Sequence, residues 1–374
     1  NTQLHGYGEM HIEWSDENLT NIDQHRFVIG IHSELADWIH LNGEIDFEHS
    51  SQDMEFEFGY LDFLLSDMLN FRAGVVLMPV GNLKENHEPP LFYSVERPNF
   101  HDKLIPTTWQ QGGFGIFGQL DEGIKYRAYI VNAVSSLGAN GDSGHAGYFR
   151  DEDFIRKGRQ QLKYVDGGDW AATGRLEYQK IRNADFGFSF YTGCSTAAVL
   201  SECGLTSIVE ADVKYRWRAL ESEFAIFKAW VEDTDKINLA QQVAGNTGDG
   251  DVPKSAFGLM AQVAVHLPQQ LGWNTTHDFV PYFKYEKIRP VDEIGDNHNS
   301  AKFDRTKNFE SWAIGVSYMP IKKVALKLDW HNYIYGRQLM NLDGQNAADP
   351  TVDCCSHHGN NKESVVRVGV AYMY

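Results

Sequence analysis

The sequence predicts an all-β fold, an antiparallel β-barrel of about sixteen strands that spans a membrane. Three observations carry this prediction. Apolar and polar residues alternate with a period of two along most of the 374-residue chain. The alternating stretches run about ten residues, the length that a tilted strand needs to cross the hydrocarbon layer. Short and long polar links alternate between them, like the short periplasmic turns and long extracellular loops of outer-membrane barrels.

The clearest unit is residues 26–49, RFVIGIHSELADWIHLNGEIDFEH. Phe27, Ile29 and Ile31 fall on one side of an extended chain, and Arg26 and His32 fall on the other, because strand side chains point alternately to two faces. Residues 36–38 interrupt the alternation, which resumes over 39–48. This unit is predicted to be a hairpin with one apolar and one charged face.

The same pattern recurs to the end of the chain, so we predict one barrel domain over residues 1–374. No helical period is long enough to predict a helix. The last predicted strand presents an apolar face that ends in an aromatic residue, Tyr374, which resembles the signal read by the barrel insertion machinery. The predicted strands are 3–14, 26–35, 39–48, 54–64, 69–80, 111–120, 124–135, 170–179, 185–193, 207–218, 221–232, 255–266, 277–288, 308–319, 324–335 and 362–374.

Composition excludes several classes of protein. The 33 basic and 51 acidic residues give a net charge of −18, which argues against a protein that binds nucleic acid through its phosphates. No apolar run is long enough for a transmembrane helix. The soluble alternatives are a β-sandwich and a propeller, but the blade repeats of a propeller are absent. Because no leader is visible at Asn1, we expect a mature, already processed chain.

In each predicted strand, the alternate positions that hold polar residues should face the lumen. Acidic residues dominate these positions in the first four strands, and most basic residues come from residue 69 onward. Basic rings favour anions in a pore. The alternative is that these charges pair with one another and fill wall space. The candidate pore-lining strand residues are Arg72, Lys125, Arg127, Arg175, Lys214, Arg216, Lys284, Lys327 and Arg367.

The link 81–109 differs from the other long links. It holds four of the eleven prolines, together with aromatic residues such as Phe92 and Trp109, which favours an ordered, packed loop. Structured loops of this length are usually functional. We expect it to fold into the barrel and narrow the pore. Its polar contributions to that constriction would be Arg97, Lys103, His87 and His101. The alternative is an external cap packed on the barrel rim.

Three segments together resemble the phosphate-selective porin O/P family of outer-membrane proteins. They are the hairpin at 26–49, the segment EPPLFYSVERP…IPTTWQQGGFGIFG and the motif WAATGRLEYQ before a turn. The resemblance covers most of the chain. It implies a sixteen-stranded homotrimeric pore in a bacterial outer membrane, with anion specificity resting on Arg and Lys ladders.

The function expected from these observations is passive diffusion of small charged solutes or ions. The expected partners are outer-membrane lipid, small anionic or other charged solutes, and further copies of the chain. The alternative is a non-conducting scaffold barrel that binds an electron-transfer protein or a surface lipoprotein through its lumen or long loops. We expect no enzymatic activity, since the sequence has no GxSxG, HExxH or P-loop motif.

All four cysteines fall in long links. Cys194 and Cys203 flank one link and are expected to form a disulfide in an oxidising exterior. The adjacent Cys354 and Cys355 could pair elsewhere, form a vicinal disulfide, or bind a soft metal ion with His357 and His358. Acidic, Gly-rich loop segments offer oxygen ligands for calcium, but solvated loops are the favoured interpretation. No cofactor is expected, and the absence of CxxCH argues against c-type haem.

Overall fold

The computed structural model describes residues 1–16, 20–83, 87–106, 108–120, 123–137, 148–162, 165, 167–196, 199–243, 251–294, 307–336 and 361–374. Within these residues the chain forms sixteen antiparallel strands, each paired with its neighbours in sequence. The strands are β1 (Thr2–Ser15), β2 (Thr20–Ala36), β3 (Ile39–Glu48), β4 (Asp53–Leu64), β5 (Asn70–Leu77), β6 (Gln110–Leu120), β7 (Ile124–Asn132), β8 (Trp170–Tyr178), β9 (Ala184–Gly193), β10 (Thr206–Trp217), β11 (Leu220–Val231), β12 (Ser255–Val265), β13 (Asp278–Glu293), β14 (Phe309–Ile321), β15 (Val324–Tyr335) and β16 (Lys362–Met373).

Pairing between β1 and β16 closes the sheet. In this seam Met10 lies opposite Val370, and Glu13 lies opposite Arg367. A closed barrel leaves no sheet edge, so backbone polar groups at membrane depth are paired between strands. The predicted all-β antiparallel barrel of about sixteen strands is confirmed.

The apolar residues of the alternating strands lie on the outer surface of the barrel. Phe27, Ile29 and Ile31 of β2 are exposed, whereas the intervening Val28 is buried and faces inward. The same alternation holds in β16, where Val366 and Val370 are exposed. An apolar outer belt is what the acyl chains of a bilayer require of a barrel wall.

From β5 onward the links alternate between short and long as predicted, but the link between β1 and β2, predicted to be long, is brief because β2 begins at Thr20. Within the described residues, two links contain α-helices that the sequence did not predict. Helix α1 (Thr234–Val243) lies in the long link after β11, and helix α2 (Leu267–Leu271) lies in the link after β12. The buried residues of α1 are mostly polar, with Ile237 as the apolar one, so no apolar period marks it. No helix among the described residues is long and apolar enough to cross a membrane.

Two strands are longer than predicted. β2 begins at Thr20, which pairs with Trp14, and β13 continues to Glu293, which pairs with Ser255. Both extensions lie at the end of the barrel that carries the long links. They contain few apolar residues, because the strands there rise beyond the apolar belt. Alternation of apolar residues therefore could not reveal them.

Candidate functional site

The barrel lumen contains a folded segment of the chain, which we call the inner loop and define as the described residues of 78–109. It leaves the wall after β5 and returns at β6, and its two ends are joined where the Met78 N–H donates to the Trp109 carbonyl at 2.8 Å. Pro89–Leu91 forms a 3₁₀ turn, and Phe100–Leu104 forms one wide helical turn. Trp109, Phe100 and Leu104 are fully buried among inward-facing residues of the wall.

Acidic side chains of β13 and β15 accept hydrogen bonds from the backbone of the inner loop. The Val95 N–H donates to Oδ2 of Asp329 on β15 at 2.6 Å. The Phe100 N–H donates to Oε1 of Glu286 on β13 at 2.8 Å. A buried backbone N–H without a partner is costly, so these carboxylates supply what a regular strand would obtain from its neighbour.

A lysine of the same wall holds the carbonyl side of the loop. Nζ of Lys327 donates to the carbonyl oxygens of Pro89 at 2.6 Å and Ser94 at 2.9 Å, and it lies 4.0 Å from the centre of the Phe92 ring. Nζ of Lys284 donates to Oγ of Ser94 at 3.2 Å. Both lysines are almost fully buried. Their charges are engaged in holding the loop.

Other contacts join the inner loop to strands β4, β9 and β11. Nε2 of His87 lies 3.2 Å from Oε2 of Glu57 on β4. Nδ2 of Asn82 donates to Glu223 on β11 at 2.7 Å. Gly81 donates its N–H to Oγ of Ser189 on β9 at 3.2 Å. The loop is therefore attached around the circumference of the barrel and crosses the lumen.

The loop also bonds to another long link. Asp102 pairs with Arg156, which lies in the short 3₁₀ segment Arg156–Leu162. Burial alone would raise the pKa of the Asp102 carboxyl, but the cationic groups of Arg156 and Lys103 hold it below its ordinary value. Asp102 is therefore ionised at neutral pH and remains paired.

Part of the lumen lies outside this packed region. A cavity of about 800 Å³ at the short-turn end is lined by Asn70, Phe117, Lys125 and Arg127. Farther round the wall, β10 presents Lys214 and Arg216. In each ion pair of β10 with β11 the basic side chain is the more exposed partner: Lys214 is 38% exposed against 13% for Glu223, and Arg216 is 53% exposed against 26% for Glu221.

The predicted basic residues fall into three groups. Several are buried or half-buried in ion pairs or hold the inner loop: Arg72 with Asp62, Arg175 with Asp212 and Glu210, Arg367 with Glu13 and Glu96, and the two lysines Lys284 and Lys327. Others line the cavity or are exposed on the wall: Lys125, Arg127, which also pairs with Glu177, Lys214 and Arg216. The remaining two lie on the inner loop: Arg97 donates to the His87 carbonyl, and Lys103 is exposed beside Asp102.

The cysteine prediction is confirmed for one pair. Cys194 and Cys203 form a disulfide across the link between β9 and β10. Cys354, Cys355, His357 and His358 lie outside the described residues, as do most of the acidic, Gly-rich segments considered for calcium.

Sequence reasoning missed the acidic and histidine residues that meet in space. Within the described residues, two groups place three carboxylate and imidazole ligand atoms within 4.8 Å of one another: Glu44, Glu57 and His87 in the packed lumen, and Asp23, His25 and His49 at the end of the barrel that carries the long links. Glu44, Glu57 and His87 come from β3, β4 and the inner loop, whereas Asp23 and His25 both lie on β2 and His49 comes from the turn between β3 and β4. The spacing of Asp23 and His25 was the one visible signal.

Comparisons with known proteins establish the fold. An anion-selective porin from Comamonas acidovorans superposes with a TM-score of 0.58 at 9% identity, over 100% of this chain and 99% of the other. Salmonella typhi OmpF, solved with daunomycin, superposes with a TM-score of 0.58 at 9% identity, over 100% and 97%. The trimer form of OmpT, an outer membrane protein of Vibrio cholerae, superposes with a TM-score of 0.55 at 9% identity, over 100% and 99%.

Sequence comparison adds a relative without an assigned role. An uncharacterized protein of Aquifex aeolicus is 29% identical over 338 residues, which are 87% of this chain and 74% of the relative. No family model matches the chain. The phosphate-selective porin O/P assignment is therefore not confirmed. The structural likenesses and the apolar outer belt confirm a bacterial outer-membrane β-barrel with the fold of the porins.

Proposed function

We propose that the protein is a passive diffusion channel of the outer membrane for small charged solutes, with a preference for anions. The observation that carries the proposal is the inner loop within the lumen, with a charged wall beside it. A loop that crosses the lumen narrows the path without interrupting the wall. The solute would pass beside the inner loop and leave through the cavity at the short-turn end.

Anion preference is supported by exposure. Arg216 and Lys214 are more exposed than their acidic partners, so a passing solute would meet more positive than negative charge on this part of the wall. The porin of Comamonas acidovorans with the same fold is anion-selective, which agrees in sign. The sequence resemblance to the phosphate-selective porin O/P family also fits a preference for anions.

The test is single-channel recording from the purified protein in planar bilayers under a salt gradient. We expect stable conductance steps and a reversal potential displaced toward the anion equilibrium potential. A cation-directed reversal potential would contradict the anion preference while leaving a channel.

One observation favours a second function, a closed barrel that acts as a scaffold. Glu286, Asp329, Lys284 and Lys327 are almost fully buried, so the lumen on the β13–β15 side is filled by protein. Such a barrel would be silent in bilayers even when a heat-modifiability gel shows it to be folded. Silence of folded protein would therefore replace the channel with this alternative.

A further inference from the structure

A bulge in the first strand pair brings two metal-binding side chains together where β1 and β2 approach the long-link end of the barrel. Glu9 pairs with Arg26 and His11 pairs with Asp23, so Met10 faces two residues of β2 instead of one. Such bulges re-aim side chains. Here Nδ1 of His25 lies 3.1 Å from Oδ2 of Asp23.

The turn between β3 and β4 supplies a third side chain. Nδ1 of His49 lies 3.0 Å from each carboxylate oxygen of Asp23. His49, Ser50 and Ser51 adopt consecutive positive φ values of 48°, 56° and 70°, which non-glycine residues rarely adopt. Such strained backbone is concentrated at ligand sites, and here it directs the His49 ring toward β2.

The three donors suit a transition-metal ion. The ligand atoms of Asp23, His25 and His49 all lie within 4.8 Å of one another, so a small movement would bring them round one ion. Two imidazoles and one carboxylate form a common protein ligand set for zinc, with room for water in the remaining position. The His11 ring stacks on the His25 ring at 4.9 Å and fixes its orientation.

The site formed by Asp23, His25 and His49 is open to solution, whereas the group formed by Glu44, Glu57 and His87 is buried. The side chains of Asp23, His25 and His49 are 33%, 29% and 43% exposed. Glu44, Glu57 and His87 are buried, and Arg26 and Tyr7 already contact Glu57. An ion from outside can therefore reach the first group directly.

We propose that Asp23, His25 and His49 form a binding site for a borderline divalent cation of the Zn²⁺ type at the extracellular mouth of the barrel. The bound ion would join β2 to the β3–β4 turn and add positive charge beside the lumen entrance. This inference is independent of whether the channel conducts.

The experiment is isothermal titration of the untagged, detergent-solubilised protein with Zn²⁺. The background variant carries Cys354→Ser, Cys355→Ser, His357→Ala and His358→Ala, which removes the other cysteine- and histidine-rich stretch. We expect one Zn²⁺ per chain. His49→Ala and Asp23→Asn should each weaken binding at least about tenfold, since each removes one of three protein ligands. His277→Ala is the matched control, because His277 is exposed beside Tyr318 on another strand pair, and it should leave binding unchanged.

Three results would overturn the proposal: no Zn²⁺ binding in the background variant, equal binding by His49→Ala, or equal affinity for Ca²⁺, which prefers oxygen ligands. X-ray absorption of the Zn²⁺-loaded wild-type chain provides a test without these substitutions. Two imidazole nitrogens with oxygen in the first coordination shell are expected, and sulfur there would assign the ion to the cysteines instead.

Discussion

At the scale of single residues, the lumen charges divide by what they contact. Arg72 is held by two hydrogen bonds to Asp62, of 2.7 and 2.9 Å, and lies 3.8 Å from the centre of the Tyr60 ring. Arg216 faces Glu221 at 3.7 Å and is half exposed. A basic side chain whose N–H donors are all hydrogen-bonded has little capacity left to bind a solute. An exposed basic side chain instead contributes its positive charge to the electrostatic field in the water of the pore. Exposure, more than residue type, should decide selectivity.

The first prediction concerns Arg216. Arg216→Glu should displace the reversal potential toward the cation equilibrium potential. Of the two basic side chains of β10 that form ion pairs with β11, Arg216 is the more exposed, and this substitution reverses its charge. Lys236→Glu makes the same change in net charge on helix α1, where Lys236 pairs with Glu202 outside the lumen, and should give a smaller displacement. Equal displacement in the two variants would mean that overall charge, and not this wall, sets the selectivity.

The second prediction concerns Glu286, which accepts hydrogen bonds from Phe100 and Asn99 of the inner loop. Glu286→Ala should destabilise the barrel by roughly 1–3 kcal/mol for each buried donor left without a partner. The measurement is the temperature at which the folded band disappears on a heat-modifiability gel. Glu310→Ala is the control, because Glu310 pairs with Lys287 at a partly exposed position, where ion pairs contribute about 0–1 kcal/mol. An equal loss in both variants would contradict an anchoring role for Glu286.

At the scale of elements, the inner loop behaves as the core of the barrel. The wall turns both polar and apolar residues inward, and the apolar ones need a partner inside the barrel to be buried. Phe100, Leu104 and Trp109 supply that partner from within, packed against inward-facing residues such as Phe227 and Met260. Polar anchors then fix the remainder of the loop.

The third prediction tests this element. Replacing residues 88–98 by a short Gly–Ser linker should raise single-channel conductance several-fold, because it removes the part of the loop that reaches β15. Replacing residues 244–250, in the link after α1, by a shorter linker of the same kind should leave conductance unchanged. Unchanged conductance in both variants would exclude the inner loop as the constriction.

At the scale of the whole molecule, the apolar belt raises the question of self-association. The fourth prediction is that the detergent-solubilised protein has the mass of a trimer by light scattering with correction for detergent. One structural neighbour was solved in a trimer form, and the apolar outer wall of this chain offers a surface for association. A monomer mass across several mild detergents would contradict the proposed homotrimer.

The sequence was sufficient for the wall and insufficient for the lumen. Alternation specified sixteen strands, and the proline and aromatic content of 81–109 singled out the loop that enters the barrel. Helix α1 was missed because its buried side chains are mostly polar. The partners of the lumen charges were also missed. Arg175 bonds to Asp212 across an intervening strand, a contact set by strand register, which the period of the pattern does not give.

The anchors of the inner loop also bear on the order in which the protein assembles. Val95 and its acceptor Asp329 are 234 residues apart, and Pro89 and Lys327 are 238 apart. The loop is therefore made long before β13–β16, and its backbone groups find their partners only when those strands arrive. Contacts so distant in sequence form slowly. The last quarter of the chain must close around a loop that was synthesised earlier. Weakened anchors should therefore reduce the yield of inserted barrels before they affect what passes through them.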